Sequence, residues 1–177
     1  MKSKLMAGFC GILFALPIVQ FMRADDRLDN DSTLEARMTG SSVVPSVSTA
    51  AKGAFSMKIA EDDSQFTYVL TFSGINSPVT QSHIHFAQPG VAGGIMIWLC
   101  QGTVAAPAGD SVPVCPTSPG GTVTGTVTPA NVVGPAAQGI SPGEFSEALA
   151  AIRRGLAYAN VHSTTFPSGE ISGQIRE

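Results

Sequence analysis

All three histidines of the chain lie in segments with β-strand character. His83 and His85 form an HxH pair, and His162 follows far downstream. In a β-strand, residues i and i+2 point to the same face with Cα atoms about 6.5–7 Å apart, so both imidazoles can reach one metal ion. A third imidazole from a neighbouring strand would complete a three-histidine set with an open coordination position. Such a set suits copper, zinc, iron or nickel more than magnesium or calcium.

The same histidines have a second interpretation as partly buried, hydrogen-bonding residues beside the glycine-rich loop at 88–94 and Glu170. Histidines often serve structure or a pH response without binding a metal. The HxH spacing permits a shared ion but does not require one. Both interpretations therefore remain open at the level of the residues.

Other chemistries find little support in the sequence. The glycine-rich loop at 89–94 lacks the following Lys-Ser/Thr pair of a phosphate loop. Acidic residues cluster only near the N-terminus and at the turn 61–63, where solvation explains them. The net charge is −3, and Arg153-Arg154 is the only basic cluster. Neither nucleic acid nor an anionic membrane surface is thus a predicted partner. Because these chemistries find little support, the sequence favours a protein without enzymatic activity.

The N-terminus has the pattern of an export signal. Lys2 and Lys4 precede an uncharged apolar stretch, Leu5–Val19. That stretch is shorter than the roughly 20 residues needed to span a bilayer. We expect residues 1–24 to be a cleaved signal peptide, followed by a flexible acidic lead-in at 25–33 and a single domain at 34–177. The protein is then secreted or periplasmic, without an integral membrane role; an uncleaved N-terminal anchor is the less favoured alternative.

Two cysteines remain beyond the predicted signal, Cys100 and Cys115. An even number of cysteines in an exported chain favours a disulfide. The bond would close a loop rich in Gly, Pro and Ala, and it would remove unfolded-state entropy worth about 3 kcal/mol. The alternative, two cysteine metal ligands, lacks the close CxxC-type spacing that is usual for zinc.

The hydrophobic pattern is mostly that of β-strands. Alternating apolar residues flank a polar turn at 61–64, which predicts a hairpin, and Ile95–Leu99 is apolar throughout, as expected of a buried strand. Further strands are predicted over 81–87, 122–128 and 156–162. Charged residues make up 13% of the chain and hydrophobic residues 44%, a composition typical of a folded domain.

One helix and one closing strand complete the predicted fold. Ser141, Pro142 and Glu144 fit a capping box with proline at the first helical position, and an apolar stripe with i, i+3, i+4 spacing follows. Near the C-terminus, Ile171, Gly173 and Ile175 are expected to face the core. Glu170, Ser172, Gln174 and Arg176 are expected to face outward. The predicted class is all-β with one short helix.

Several segments resemble the CHRD (chordin-type) domain family. His83–Phe86, with the glycines after it, resembles the family's HIHxGxxG segment, and Val44–Val47 resembles its opening VPPV stretch. The segments 157–163 and 167–175 resemble its closing YVNVHT and PxGEIRGQ signature. The residues of this chain that carry that signature are Tyr158, Asn160, Gly169, Glu170, Gly173 and Gln174. Ser46, Ser163 and Ser172 depart from the usual proline, threonine and arginine.

The resemblance implies an exported single-domain protein with a Greek-key-like antiparallel β-sandwich. The layout is also similar to copper-zinc superoxide dismutase, in which an HxH pair and a late-strand histidine hold copper. By that resemblance His83, His85 and His162 would be the copper-type ligands, although the chain has no fourth, bridging histidine. The leading hypothesis is a non-enzymatic binding or structural module with one Cu or Zn ion as its candidate cofactor. The alternatives are a mononuclear redox metalloenzyme and an extracellular protein–protein interaction module.

Overall fold

The computed structural model describes residues 33–107 and 111–177. Within them the chain forms one α-helix and eight β-strands that all pair antiparallel in a single sheet, in the order β5-β4-β7-β8-β1-β2-β3-β6. The elements are β1 (Thr33–Thr39), β2 (Lys52–Ile59), β3 (Phe66–Ser73), β4 (Val79–Phe86), β5 (Gly94–Gln101), β6 (Gly121–Val127), α1 (Phe145–Arg153), β7 (Ala157–Ser163) and β8 (Ile171–Gln174). The all-β class with one short helix is thereby confirmed.

The predicted signal peptide at 1–24 lies outside the described residues, as does the lead-in at 25–33 except for Thr33, which begins β1. In the part of the chain that the structure covers, no helix has the length and apolar character needed to cross a membrane.

The β2–β3 hairpin shows why the sequence forms this sheet. Its apolar residues alternate with polar ones, and the apolar set is almost fully buried while the intervening residues reach solvent. Burying each such Phe, Leu or Met side chain contributes roughly 1.5–3 kcal/mol. The buried set comprises Phe55, Met57, Ile59, Phe66, Tyr68, Leu70 and Phe72.

The sheet curls until its two ends meet across the core. Tyr68 in β3 donates a hydrogen bond to the carbonyl oxygen of Leu99 in β5, although these strands are near opposite ends of the strand order. The two halves of the sheet therefore face each other, which gives the sandwich-like core predicted from the sequence.

Helix α1 covers one end of this core. Phe145 stacks on Phe66 with ring centroids 6.1 Å apart, and the predicted apolar stripe along the helix is buried. The helix begins at Phe145, later than predicted, because Gly143 has a left-handed φ of +85° that interrupts helical geometry. Of the predicted capping box, only the bond from the Ser141 backbone N–H to the Glu144 carboxylate forms, at 2.6 Å.

The predicted disulfide is present between Cys100 and Cys115, which are 15 residues apart in sequence. Its loop is also held by backbone hydrogen bonds, since the Cys115 N–H donates to the Gln101 carbonyl at 2.8 Å. The bond ties the end of β5 to the segment that leads into β6. This pairing rules out the alternative in which the two cysteines ligate a metal.

The predicted outward face of the last strand is largely wrong. Ile171 and Ile175 face the core as expected, but Glu170 and Ser172 are each only 3% exposed. Thr49 donates a hydrogen bond to the Glu170 carboxylate at 2.9 Å, so the segment between β1 and β2 lies over this side of the sheet. The polar side of β8 is buried because loops cover it.

Replacing both cysteines by serine (Cys100→Ser/Cys115→Ser) should lower the free energy of unfolding by about 2–4 kcal/mol, because the unfolded chain regains loop entropy. Urea denaturation of the two proteins measures the difference. A reductant should bring the wild-type midpoint down to that of the variant and leave the variant unchanged. Equal midpoints for the oxidised wild type and the variant would show that the bridge contributes nothing.

Candidate metal centre

The pairing of β4 with β7 and β8 creates a polar layer on the side of the sheet away from the core. Directly paired residues of antiparallel strands point to the same face. Two rows of side chains therefore cross the three strands. One row contains His85, Tyr158 and Gln174, and the other contains His83, Asn160 and Ser172. Gln81 pairs with His162. We call the surface formed by His83, His85, Tyr158, Asn160, His162, Glu170, Ser172 and Gln174 the histidine face. The alternate residues, such as Ile84 and Val161, are fully buried in the core.

The three histidines converge as the metal hypothesis requires. One ring nitrogen from each of His83, His85 and His162 lies within 4.8 Å of the others. The closest contact joins His83 Nδ1 and His162 Nε2 at 3.2 Å. In a tetrahedral site with metal–nitrogen bonds of about 2.0–2.1 Å, neighbouring ligand atoms lie roughly 3.3 Å apart. The spacing of this pair thus already matches a coordinated pair.

Two backbone carbonyls determine which nitrogens are available. His85 Nδ1 lies 3.0 Å from the Gly93 carbonyl oxygen, and His162 Nδ1 lies 2.9 Å from that of Pro167. A carbonyl only accepts, so each Nδ1 carries the proton and each Nε2 presents its lone pair. Metal-binding histidines commonly donate their second ring N–H to a carbonyl in this way. The candidate ligand atoms of these two rings are therefore their Nε2 atoms. Because His162 Nε2 can only accept, His83 Nδ1 donates the hydrogen bond between the two rings at 3.2 Å. That proton must move to His83 Nε2 before His83 Nδ1 can bind an ion.

Burial keeps the three rings uncharged. His83, His85 and His162 are 0%, 7% and 5% exposed. Burial, together with the neighbouring His162 and His85, lowers the pKa of His83 to about 2. Burial lowers the pKa of His85 to about 4, partly offset by the Gly93 carbonyl, and it also lowers the pKa of His162. The neutral imidazole is the form that ligates a metal, so burial holds the three rings in the charge state that metal binding needs.

Two loops hold the accepting carbonyls in place. Gly93 sits so close to β4 that a Cβ there would lie 1.9 Å from the Phe86 carbonyl oxygen, which explains the glycine. Pro167 belongs to the β7–β8 loop. That loop is fastened because Ser163 Oγ donates to the Glu170 carboxylate at 2.5 Å and accepts from the Phe166 N–H at 3.2 Å. Glu170 thus stabilises the loop that orients His162.

Aromatic rings enclose the site. Trp98 packs edge-on against His83 with ring centroids 4.3 Å apart. Tyr158 stacks in parallel on His85 at 4.8 Å, and its hydroxyl accepts a hydrogen bond from the Gly93 N–H at 3.2 Å. Tyr158 therefore fixes both the plane of the His85 ring and the loop that orients it.

The remaining signature residues have packing roles around the same face. Gly169 has a φ of +121°, and a Cβ there would lie 2.5 Å from the Asn160 amide. Gly173 allows β1 to approach, since a Cβ would lie 2.2 Å from the Arg37 carbonyl oxygen. Gln174 Nε2 donates to the carbonyls of Ala87 and Gly155, at 3.1 and 2.6 Å. All six signature residues thus lie on or beside the histidine face.

A GxSxG sequence, Gly139-Ile140-Ser141-Pro142-Gly143, occurs before α1. In hydrolases this motif carries a nucleophilic serine at a turn between a strand and a helix. Here it follows the short 3₁₀ turn Ala136–Gln138 and no strand leads into it. Ser141 is exposed, whereas the three histidines are buried. The segment serves as the entry to α1.

Acid should destabilise the metal-free protein between pH 7 and pH 5. The unfolded chain's histidines gain protons below about pH 6.5, whereas the folded chain keeps its lowered pKa values and stays neutral. Because the unfolded state then binds more protons, the unfolding free energy should fall by up to about 1.4 kcal/mol per pH unit for each histidine. Urea denaturation in a chelator at pH 7, 6 and 5 measures this. His85→Gln should show a shallower dependence; a flat wild-type profile would contradict buried neutral rings.

We compared the chain with models of known protein families, with curated proteins and with solved structures. The family model of the CHRD domain matches residues 34–175, which span all of the described strands almost completely. Searches among curated proteins and among solved structures each returned no match. The match includes the HxH strand and the closing signature strands that build the histidine face. This chain is therefore a member of the CHRD domain family.

Proposed function

We propose that this protein is an exported, non-enzymatic binding module that holds one copper or zinc ion through His83, His85 and His162. The observation that carries the proposal is the convergence of three buried ring nitrogens within 4.8 Å. Two of the rings are already fixed in the ligating tautomer by carbonyl acceptors. The membership of the chain in the CHRD family supports a binding or structural role.

The donor set decides which ions are suitable. Three neutral imidazoles favour copper or zinc, since magnesium and calcium require oxygen ligands. The chain contains three histidines in total, so a fourth imidazole must come from outside it. The ion would keep one coordination position for water or another ligand.

Export is supported by the disulfide and by the pattern of the N-terminus. Disulfides such as Cys100–Cys115 persist in oxidising compartments and are rare in the cytosol. Lys2 and Lys4 before the apolar stretch add the sequence pattern of a signal peptide.

A redox metalloenzyme is the second candidate. The observation that favours it is a cleft lined in part by His85, which would bring a small molecule to that side chain. Dismutation of an anionic substrate is disfavoured, because no Lys or Arg lies among the described residues that line this cleft. Positive charge near the metal would be needed to attract an anion to the site.

Binding of Cu(II) should quench the fluorescence of the mature protein at one equivalent. Trp98 is the only tryptophan of the chain and its ring lies 4.3 Å from that of His83, within reach of quenching by a paramagnetic ion. His85→Ala and His162→Ala should each weaken Cu(II) and Zn(II) affinity on the order of a hundredfold or more, since loss of an outer hydrogen-bond partner alone costs 10–100-fold. A chelator should restore the fluorescence.

Thr124→Ala, on the opposite half of the sheet, is the matched control and should bind like the wild type. Elemental analysis gives the stoichiometry independently of fluorescence. Negligible uptake by the wild type, or equal uptake by the wild type and both histidine variants, would remove the metal proposal. Normal capture of a protein partner by the histidine variants would then favour the protein–protein module.

A further inference from the structure

A cleft of about 260 Å³ opens on the histidine face beside His85. Its floor is made of paired residues from β4, β7 and β8, and its walls come from the segments 42–45 and 90–93. The floor residues are His85, Tyr158, Asn160, Ser172 and Gln174. Three of them, Tyr158, Asn160 and Gln174, belong to the family signature. The cleft is thus built from the same strands as the metal centre.

Two acceptor atoms of the floor residues are buried and have no donor among the described residues. Asn160 is 3% exposed, and its Oδ1 has no hydrogen-bond partner among the described residues. Its Nδ2 lies 3.5 Å from the Ser168 carbonyl oxygen, which favours the orientation in which Oδ1 is the unpaired atom. His85 Nε2, whose lone pair is left free by the Gly93 contact, is the second such atom. Buried acceptors of this kind are uncommon in native proteins, where nearly all find a donor.

The residues of the cleft walls and rim indicate the charge and the polarity of the ligand. No Asp, Glu, Lys or Arg occurs among the described residues that line the cleft, so nothing there would neutralise a charged ligand. Val44 and Val91, at the rim, are 40% and 44% exposed and belong to the small set of exposed large hydrophobic residues. A polar floor below an apolar rim fits a molecule with a polar end and an apolar body.

We infer that the cleft binds a small uncharged ligand that presents an N–H or O–H group to Asn160 Oδ1 and an apolar body to Val44 and Val91. The ligand also has a lone pair for the open position of the ion at His85, and this part rests on the proposed function. An azole meets all three requirements, since its ring carries an N–H, a lone pair and carbon edges. The contact with Asn160 does not depend on the metal.

Titration of the ¹⁵N-labelled mature protein with imidazole and 4-phenylimidazole tests the inference. The titrations are done at pH 8, where the ligands are neutral, with both the metal-free and the Zn(II)-loaded protein. We expect saturable shifts of the Asn160 side-chain amide and of the Gly93 amide, which contacts Tyr158. Zinc should tighten binding at least tenfold, and 4-phenylimidazole should bind more tightly than imidazole. In the metal-free protein, where no ion can bind its carboxylate, acetate should cause no saturable shift at these signals.

Asn160→Ala should weaken imidazole binding to the metal-free protein roughly three- to tenfold, the effect of one hydrogen bond. Thr124→Ala should match the wild type. The selectivity for imidazole over acetate needs no variant, so it tests the inference even if Asn160→Ala does not fold.

The failure of this inference is distinguishable from failure of the metal site. Zinc uptake without any ligand-induced shift at Asn160 would show a cleft filled by water only and would overturn the inference alone. Equal shifts with acetate would overturn it as well, because the site would then accept anions. Shifts at Asn160 without zinc uptake would support the cleft and contradict the metal centre.

Discussion

The register between β4 and β7 is the constraint on which the candidate site depends. It places His83 opposite Asn160 and His85 opposite Tyr158, and so brings His162 to 3.2 Å from His83. The register is held from the other side of the sheet, where Ile84, Ala159 and Val161 are fully buried. A slip by one residue would exchange the two faces and drive the imidazoles into the hydrophobic core. The core thus determines the geometry of the histidine cluster.

The second requirement is that loops cover the histidine face while some of its buried polar atoms keep no hydrogen-bond partner. The loops that contain Gly93 and Pro167 cover it and supply acceptors for one nitrogen of His85 and of His162. His83 Nε2, His85 Nε2 and Asn160 Oδ1 have no partner among the residues that the structure describes. Each such atom costs about 1–3 kcal/mol relative to a bonded one. The fold tolerates this cost because the opposite face of the same strands is packed with apolar side chains.

The sequence predicted those features that follow from local periodicity. The HxH spacing places His83 and His85 on one face of any strand, and the alternation in β2 and β3 identifies the core side. The similarity to the layout of copper-zinc superoxide dismutase pointed to His162 as the third candidate ligand. What could not be predicted is how loops cover a sheet: Glu170 and Ser172 alternate with core residues as solvent-facing positions would, yet both are buried. The carbonyls of Gly93 and Pro167 carry no side-chain signal, so the tautomers of His85 and His162 appear only in the three-dimensional structure.

The most direct test of the metal centre is a crystal structure of the mature protein grown with Cu(II) or Zn(II), with anomalous difference maps recorded at the metal absorption edge. The account predicts one strong peak at about 2.0–2.1 Å from His83 Nδ1, His85 Nε2 and His162 Nε2. A peak bound to fewer than three of these nitrogens, or density for the ion only elsewhere on the molecule, would contradict it.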